Sequence, residues 1–187
     1  MLKLLGLLLP ILAGMHYYEC GGTYRWDNKI LIDKAGLKVF PKRARSSTIH
    51  KVVNYNRPPS EELRTNRGAI EQKKITVTCW LVGLGKEDDH DYHLILTSIN
   101  GEDSLIAEIP DPDCSKLEHF PGLRDKYSKA RAFIEENVDG SPGAVDYYEP
   151  IKVKVTGVLF FDKVAHGKGH AANGIEIHPV LKIVPAN

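Results

Sequence analysis

One face of a predicted strand carries side chains suited to binding a metal ion. Residues 91–98 (DYHLILTS) are predicted to form a strand, and strand residues two apart point to the same side. Asp89, Asp91 and His93 would therefore share one face, with Glu108 in the next predicted strand. Carboxylates combined with an imidazole form the mixed nitrogen and oxygen ligand set that suits Zn²⁺ or Mn²⁺.

A second histidine and carboxylate share a face near the C-terminus. Glu176 and His178 are two apart in a predicted strand, although sequence alone does not fix whether they reach the first group. We predict a divalent-metal site from five residues and assign no catalytic residue: Asp89, Asp91, His93, Glu108 and His178. The alternative is structural, in which the aspartates solvate a turn, His93 is a hydrogen-bonded barrel residue and Glu176 pairs with a lysine.

The loop over residues 162–174 has a composition that could bind an anion or act as a general acid or base near neutral pH. We predict ligand-binding roles for Tyr92, His166, Lys168, His170 and Asn173. Glycine-rich loops also occur simply because a hairpin must turn, and the phosphate-loop spacing GxxxxGK[ST] does not occur.

The spacing of hydrophobic residues, every second residue in strands and every third or fourth in a helix, predicts the elements that would position these residues. Three strands (74–82, 91–98 and 104–109) precede an amphipathic helix over 123–137, and two more strands (151–161 and 175–183) follow it. Asn100-Gly101 is a strong hairpin signal.

This order predicts an all-β fold with one helix, a five-stranded Greek-key barrel of the OB-fold type with an N-terminal extension. We expect the last strand to close against the first. Gly157, inside the fourth strand, predicts a bulge.

The N-terminus predicts export. Lys3 precedes an uncharged run over residues 4–15, which is too short to span a bilayer and is typical of a signal peptide. The alternative is a buried N-terminal helix of a cytosolic protein. We divide the chain into a signal peptide (1–20), a basic extension (21–70) and the barrel (71–187).

The hydrophobic residues of the extension show no strong helical or strand periodicity. Residues 29–32 and 37–40 could be strands of a small hairpin, and the segment either packs on the barrel or is a partly flexible arm.

Three cysteines allow one disulfide in an oxidising compartment. If a bond forms, we favour Cys79 with Cys114, leaving Cys20 over; free thiols are an equal alternative.

Three strings of residues carry a resemblance to a group of uncharacterised bacterial exported proteins. They are DDHDYHL at 88–94, IAEIPDPDC at 106–114, and GVLFFD at 157–162 followed by NGIEIHPV at 173–180. The resemblance covers roughly residues 71–183 and implies no activity. A weaker resemblance, in topology, is to the thermonuclease family, an exported OB-fold that binds calcium and a phosphodiester. It implies comparable places for Asp89, Asp91 and Asp111.

Composition and motifs narrow the function. The net charge of +1 removes the simplest case for a nucleic-acid binder, and the motifs GxSxG, HExxH and paired CxxC are absent. We expect an exported, non-enzymatic module that binds an oligosaccharide, a nucleic acid or a small anion. The alternative is a metal-dependent phosphodiesterase or nuclease with a metal-bound water as its nucleophile.

Overall fold

The computed structural model describes residues 20–21, 24–65, 67–86, 89–138, 146–165 and 167–187. The strands are β1 (Arg45–Ser47), β2 (Lys74–Lys86), β3 (Tyr92–Thr97), β4 (Ser104–Ile109), β5 (Asp146–Phe161) and β6 (Ile175–Pro185). The helices are α1 (Trp26–Lys29), α2 (Lys34–Val39), α3 (Ile49–Val53), α4 (Ser60–Thr65) and α5 (Pro121–Asn137), with 3-10 turns at Ile70–Gln72 and Ser115–Leu117. Except for Cys20, the predicted signal peptide lies outside the described residues.

Five of the strands close a barrel. Strand β2 pairs antiparallel with β3 on one side and with β5 on the other, and β3 continues into the antiparallel β4. Strand β6 closes the ring because it pairs antiparallel with β5 and parallel with β4, where Ala107 lies opposite Ile177. The sixth strand, β1, runs parallel to the first residues of β2. The chain is therefore mostly β, with a closed five-stranded barrel, one extra strand and few helices.

The strands and the long helix that hydrophobic alternation predicts are confirmed, with ends that differ by a few residues. The expected closure of the last strand against the first is wrong. The first barrel strand, β2, pairs with β5, and the last, β6, lies between β5 and β4. This order places the C-terminal strand beside Glu108.

The predicted hairpin in the extension is also wrong, since its two segments belong to helices α1 and α2 and to the turns beside them. Polar side chains cap helices α2 and α3: the Asp33 carboxylate accepts a hydrogen bond from the Gly36 amide, and the Thr48 hydroxyl accepts one from the Lys51 amide. Trp26 and other apolar side chains of these helices are buried in the same core as the barrel. The extension is packed on the barrel over its described residues.

The described helices do not include one that combines the length and the apolar character needed to cross a bilayer. Helix α5 instead packs its apolar face inward, with Leu123, Tyr127, Ala130 and Ile134 buried as their spacing predicts. The Tyr127 hydroxyl donates to the Ile30 carbonyl at 2.8 Å and so links the helix to the extension.

Gly157 lies at a close approach of β5 to β6. The pairing register shifts on both sides of this residue, as its position inside a strand predicts. A Cβ atom at this position would lie 2.5 Å from the Pro179 carbonyl oxygen and would overlap the Ile177 side chain. The bulge fixes the register of β6 just where the strand carries His178.

We predict that Gly157→Ala lowers the free energy of unfolding by about 2–3 kcal/mol, because the added methyl group overlaps neighbouring backbone. Gly122→Ala is the matched control: its Cβ would meet Phe40 Cε1 at 3.6 Å, an ordinary contact, and alanine favours a helix. Urea unfolding of both variants checks this. Equal losses would contradict the close approach at Gly157.

The disulfide joins Cys20 to Cys114, so the favoured pairing of Cys79 with Cys114 is wrong. Cys79 is a buried free thiol inside the barrel, and burial raises its pKa to about 12. The bond spans 94 residues and ties the start of the extension to the segment after β4.

We predict that denatured, unreduced protein exposes one alkylatable thiol, which is Cys79, in intact mass measurements. Cys114→Ser should lower the free energy of unfolding by about 2–5 kcal/mol, because the unfolded chain gains the freedom that a long closed loop removes. Labelling of Cys114 in the oxidised protein would contradict the pairing.

Candidate functional site

Ionisable side chains gather on the face of the barrel that points away from its core. Along β3, β4 and β6, residues of the apolar core alternate with residues of the outer face, which carries His93, Glu108, Glu176 and His178 beside the apolar Ile95 and Ile106. His93 and Glu108 lie opposite each other on β3 and β4. The pairing of β4 with β6 then brings Glu176 and His178 alongside them.

His178 is at the centre of the group and is fully buried. Its Nε2 atom lies 3.3 Å from Asp91 Oδ2, and its Nδ1 atom lies 2.6 Å from Glu108 Oε2 and 4.0 Å from Glu176 Oε2. The ring packs edge-on against Phe160, with ring centroids 5.8 Å apart. One imidazole is therefore surrounded by three buried carboxyl groups.

The other oxygens of two of these carboxyl groups are held in place. Asp91 Oδ1 accepts a hydrogen bond from the Asp111 amide at 3.1 Å. Glu108 Oε1 lies 3.2 Å from His93 Nδ1. Backbone and histidine contacts thus orient both carboxyl groups so that one oxygen of each lies near His178.

The carboxylate oxygens nearest His178 lie close to its ring nitrogens, but their geometry is not that of hydrogen bonds. Of the eight buried side-chain atoms without a hydrogen-bond partner among the described residues, five belong to this group: Asp91 Oδ2, Glu108 Oε2, Glu176 Oε2 and both ring nitrogens of His178. Buried polar atoms are rarely left without a partner. Several unpartnered nitrogen and oxygen atoms in one place are what a cation site requires.

The residues present fit a divalent metal ion. One donor atom each from Asp91, Glu108 and His178 lies within 4.8 Å of the others. Zn²⁺ binds such nitrogen and oxygen atoms at about 2.0–2.2 Å. Glu108 approaches His178 Nδ1, whereas Asp91 approaches Nε2 on the other side of the ring, so an ion at Nδ1 would take Glu108 directly and Asp91 would orient the imidazole. Glu176 supplies a further oxygen from the same side as Glu108.

A pocket of about 310 Å³ opens over this group. Glu108, Glu176 and His93 line it, whereas Asp91 and His178 lie beneath, fully buried. Lys29, from helix α1, reaches into the pocket, where its ammonium group lies 2.7 Å from Asp162 Oδ2 and 3.7 Å from Glu108 Oε2. A metal ion at this position would have protein ligands below it and space for a ligand above.

Burial and neighbouring charge shift the pKa values of the group in opposite directions. Burial opposes ionisation of Glu108, but the His178 imidazolium outweighs it and holds the Glu108 pKa well below its usual range. Burial also opposes charge on His178, yet the flanking carboxylates raise its pKa to about 9. Burial, followed by the charge on Glu108, raises the pKa of Glu176 to about 8. Without metal, the site holds a protonated Glu176 at neutral pH.

The structure brings together four of the five predicted metal ligands: Asp91, His93, Glu108 and His178. Asp89 lines the pocket, but its Oδ1 accepts a hydrogen bond from the Asp91 amide and shapes the turn.

The predicted ligand-binding residues are dispersed. His170 lines the pocket, with its ring centroid 5.9 Å from that of His93, and Lys168 is exposed outside it. Tyr92 faces the other way, with its hydroxyl on Glu135 and its ring under Arg131. The Asn173 amide donates to two carbonyls of the extension and therefore fixes the loop. His166 lies outside the described residues.

Six lining residues of the pocket were not among those predicted from the sequence: Tyr24, Lys29, Asp162, Lys163, Ala165 and Glu176. Glu176 shares a face with His178, and that spacing was a sufficient signal. Lys29 comes from the extension and Asp162 from the end of β5, and no local pattern connects them with strands β3 and β4. No family model, curated protein or solved structure matches this chain.

From the raised pKa of Glu176 we predict that the free energy of unfolding of the metal-free protein depends on pH. Its pKa is higher when folded, about 8, than when unfolded, so its favourable contribution is complete at low pH and is lost as pH rises through 8. His178 adds a loss in the same direction as pH rises towards 9. In chelator-treated protein, stability should fall between pH 6 and 9 by an amount on the order of 2 kcal/mol.

Glu176→Gln isolates the carboxyl group, because glutamine resembles the protonated form. The variant should match the original protein near pH 5 and be the more stable of the two near pH 9 in urea unfolding. An identical fall with pH in both proteins would show that Glu176 is not the group held protonated.

Proposed function

We propose that the protein is a divalent-metal-dependent hydrolase of phosphodiesters, with the metal ion at the floor of the pocket. The observation that supports this proposal most is the convergence of unpartnered buried donor atoms on Asp91, Glu108, Glu176 and His178. The carboxylate and imidazole groups that a metal-dependent hydrolase requires lie together in and beneath one pocket rather than being scattered over the surface.

Charge favours a cation at this position. Three carboxyl groups out of water repel one another, and burying a carboxylate without a counter-charge is costly. Lys29 forms ion pairs with Glu108 and Asp162, whereas the ion-pair contacts of Asp91 and Glu176 among the described residues are to His178. A divalent ion would take the place of the two protons on His178 and Glu176, so it would leave the net charge of the group unchanged while filling the unpartnered atoms.

The pocket itself suits an anionic substrate. Lys29, Lys163 and His170 line it together with its acidic residues. A divalent ion supplies Lewis-acid activation of a bound ester. The residues of the chain would then bind the anion through Lys163 and offer His170 as a proton donor or acceptor above the floor.

A second candidate is the non-enzymatic ligand-binding module. The ion pair of Lys29 with Asp162, at 2.7 Å, favours it, because this pair supplies positive charge beside the acidic group without a metal. In that case the pocket would bind a small polar ligand.

We also propose that the barrel is an OB-fold and that the protein is exported. The ring order β2-β3-β4-β6-β5, with helix α5 between β4 and β5, supports the Greek-key connection. The Cys20–Cys114 disulfide supports an oxidising compartment.

Titration calorimetry with Zn²⁺ and with Mn²⁺ tests the metal site. We predict binding of one ion per chain, lost in His178→Gln and weakened at least roughly tenfold in Glu108→Gln, because each substitution removes a donor atom. His50→Gln is the matched control, since His50 pairs with Asp103 at the surface, away from the pocket. Absence of stoichiometric binding to folded protein would exclude the metal site.

Hydrolysis of bis(4-nitrophenyl) phosphate tests the reaction. Activity should require added metal, disappear with chelator and fall at least roughly a hundredfold in Glu108→Gln, while His50→Gln keeps it. Stoichiometric metal binding with no metal-dependent hydrolysis would reject the hydrolase and leave the ligand-binding module.

A further inference from the structure

A second charged feature lies apart from the acidic pocket. The groove formed by the segment before β1, by α3 and by the start of β2 encloses about 360 Å³. Six basic side chains line it and, among the described lining residues, no carboxylate does: Lys42, Arg43, Arg45, Lys51, Lys73 and Lys74. We call this the basic groove.

The sequence concentrates positive charge in this region. Between Asp33 and Glu61 the chain has seven lysines and arginines and no aspartate or glutamate. The near-zero net charge of the whole chain therefore conceals a strongly basic segment, and the pairing of β1 with β2 adds Lys73 and Lys74 to it.

The basic groove differs from the other cationic positions of the protein. Arg25, Arg67 and Lys29 are each held by a carboxylate at 2.7–2.9 Å. Within the described ranges, none of the six groove cations forms such a pair.

Lys74 illustrates the crowding of charge. Its ammonium group donates to the Phe40 carbonyl at 2.7 Å. Burial, together with the positive charge of Lys126, lowers its pKa. Like charges held together cost free energy, and a bound anion would remove that cost.

We propose that the basic groove binds the phosphate groups of a single-stranded nucleic acid. Arginines present planar forks that match phosphate oxygens, and Arg43 and Arg45 are both exposed at the groove. Tyr55 lines the same groove and offers an aromatic ring, with the Lys73 ammonium 5.7 Å from its centroid. Cations that follow a backbone and a ring on which a base can stack are the two parts of a single-strand site.

Two other anionic partners fit the groove less well. A lipid surface is flat, whereas the six cations line a concave space. A sulfated polysaccharide would use the cations but would gain little from the face of Tyr55. The site shares no residue with the acidic pocket, so nucleic-acid binding here does not depend on the proposed hydrolase.

Fluorescence anisotropy with a labelled oligothymidylate of about ten nucleotides tests the proposal. Chelator is present throughout, so that neither metal binding nor cleavage affects the result. Arg43→Ala/Lys51→Ala should weaken binding at least roughly tenfold. The slope of log affinity against log salt should decrease by about 1.4, or about 0.7 for each phosphate that the variant no longer neutralises.

Lys154→Ala/Lys182→Ala is the matched control, because it removes the same charge from exposed positions on β5 and β6. It should change affinity by less than about twofold. Tyr55→Leu should weaken binding several-fold without changing the salt slope, and thermal melting confirms that each variant is folded.

Three results would overturn the proposal. They are no binding at moderate salt, equal weakening by the groove and control variants, and a sulfated oligosaccharide of equal charge that binds more tightly and is insensitive to Tyr55→Leu.

Discussion

Three carboxyl groups and a histidine are held out of water on the outer face of the barrel, and the surrounding structure is arranged around their burial. Asp91, Glu108 and Glu176 meet at His178, where ionisation of all of them would be costly without a counter-charge. Without a metal ion, protons on Glu176 and His178 and the ammonium group of Lys29 reduce this cost. A divalent cation at the proposed site would replace these protons, so the proposed metal site and the pKa shifts share one physical cause, which is the burial of the carboxyl groups.

The extension forms part of this site. Glu71 is fully buried, accepts two hydrogen bonds from Arg25 at 2.8 Å, and accepts a third from the Phe161 amide of β5. Arg25 also lies over the Phe160 ring, which packs on His178. These contacts fix helix α1 against the barrel and direct Lys29 into the pocket. Loss of the extension would therefore expose the acidic group rather than merely shorten the protein.

Sequence patterns predicted the parts of this arrangement that depend on local periodicity. Alternation of apolar and polar residues located the barrel strands, and apolar residues three or four apart located α5. The two-residue spacing placed Asp91 on the same face as His93. The contact of Glu108 with His178 was not predictable from the sequence. It depends on the short pairing of β4 with β6, which is limited to Ala107 opposite Ile177, and on the bulge at Gly157. Helices α1 and α2 were missed because they are four and six residues long and depend on tertiary packing and, for α2, on the Asp33 cap rather than on a hydrophobic period.

Anomalous diffraction from crystals grown with Zn²⁺ or Mn²⁺, measured at the metal absorption edge, is the sharpest test of a metal ion bound at His178. We predict one strong peak at the floor of the pocket, within about 2.0–2.3 Å of a Glu108 oxygen and a His178 nitrogen, with Glu176 also in the ligand set. The peak should be absent in crystals of His178→Gln. A fully occupied metal elsewhere, or a loaded crystal in which His178 stays between its carboxylates with no peak nearby, would contradict the metal site.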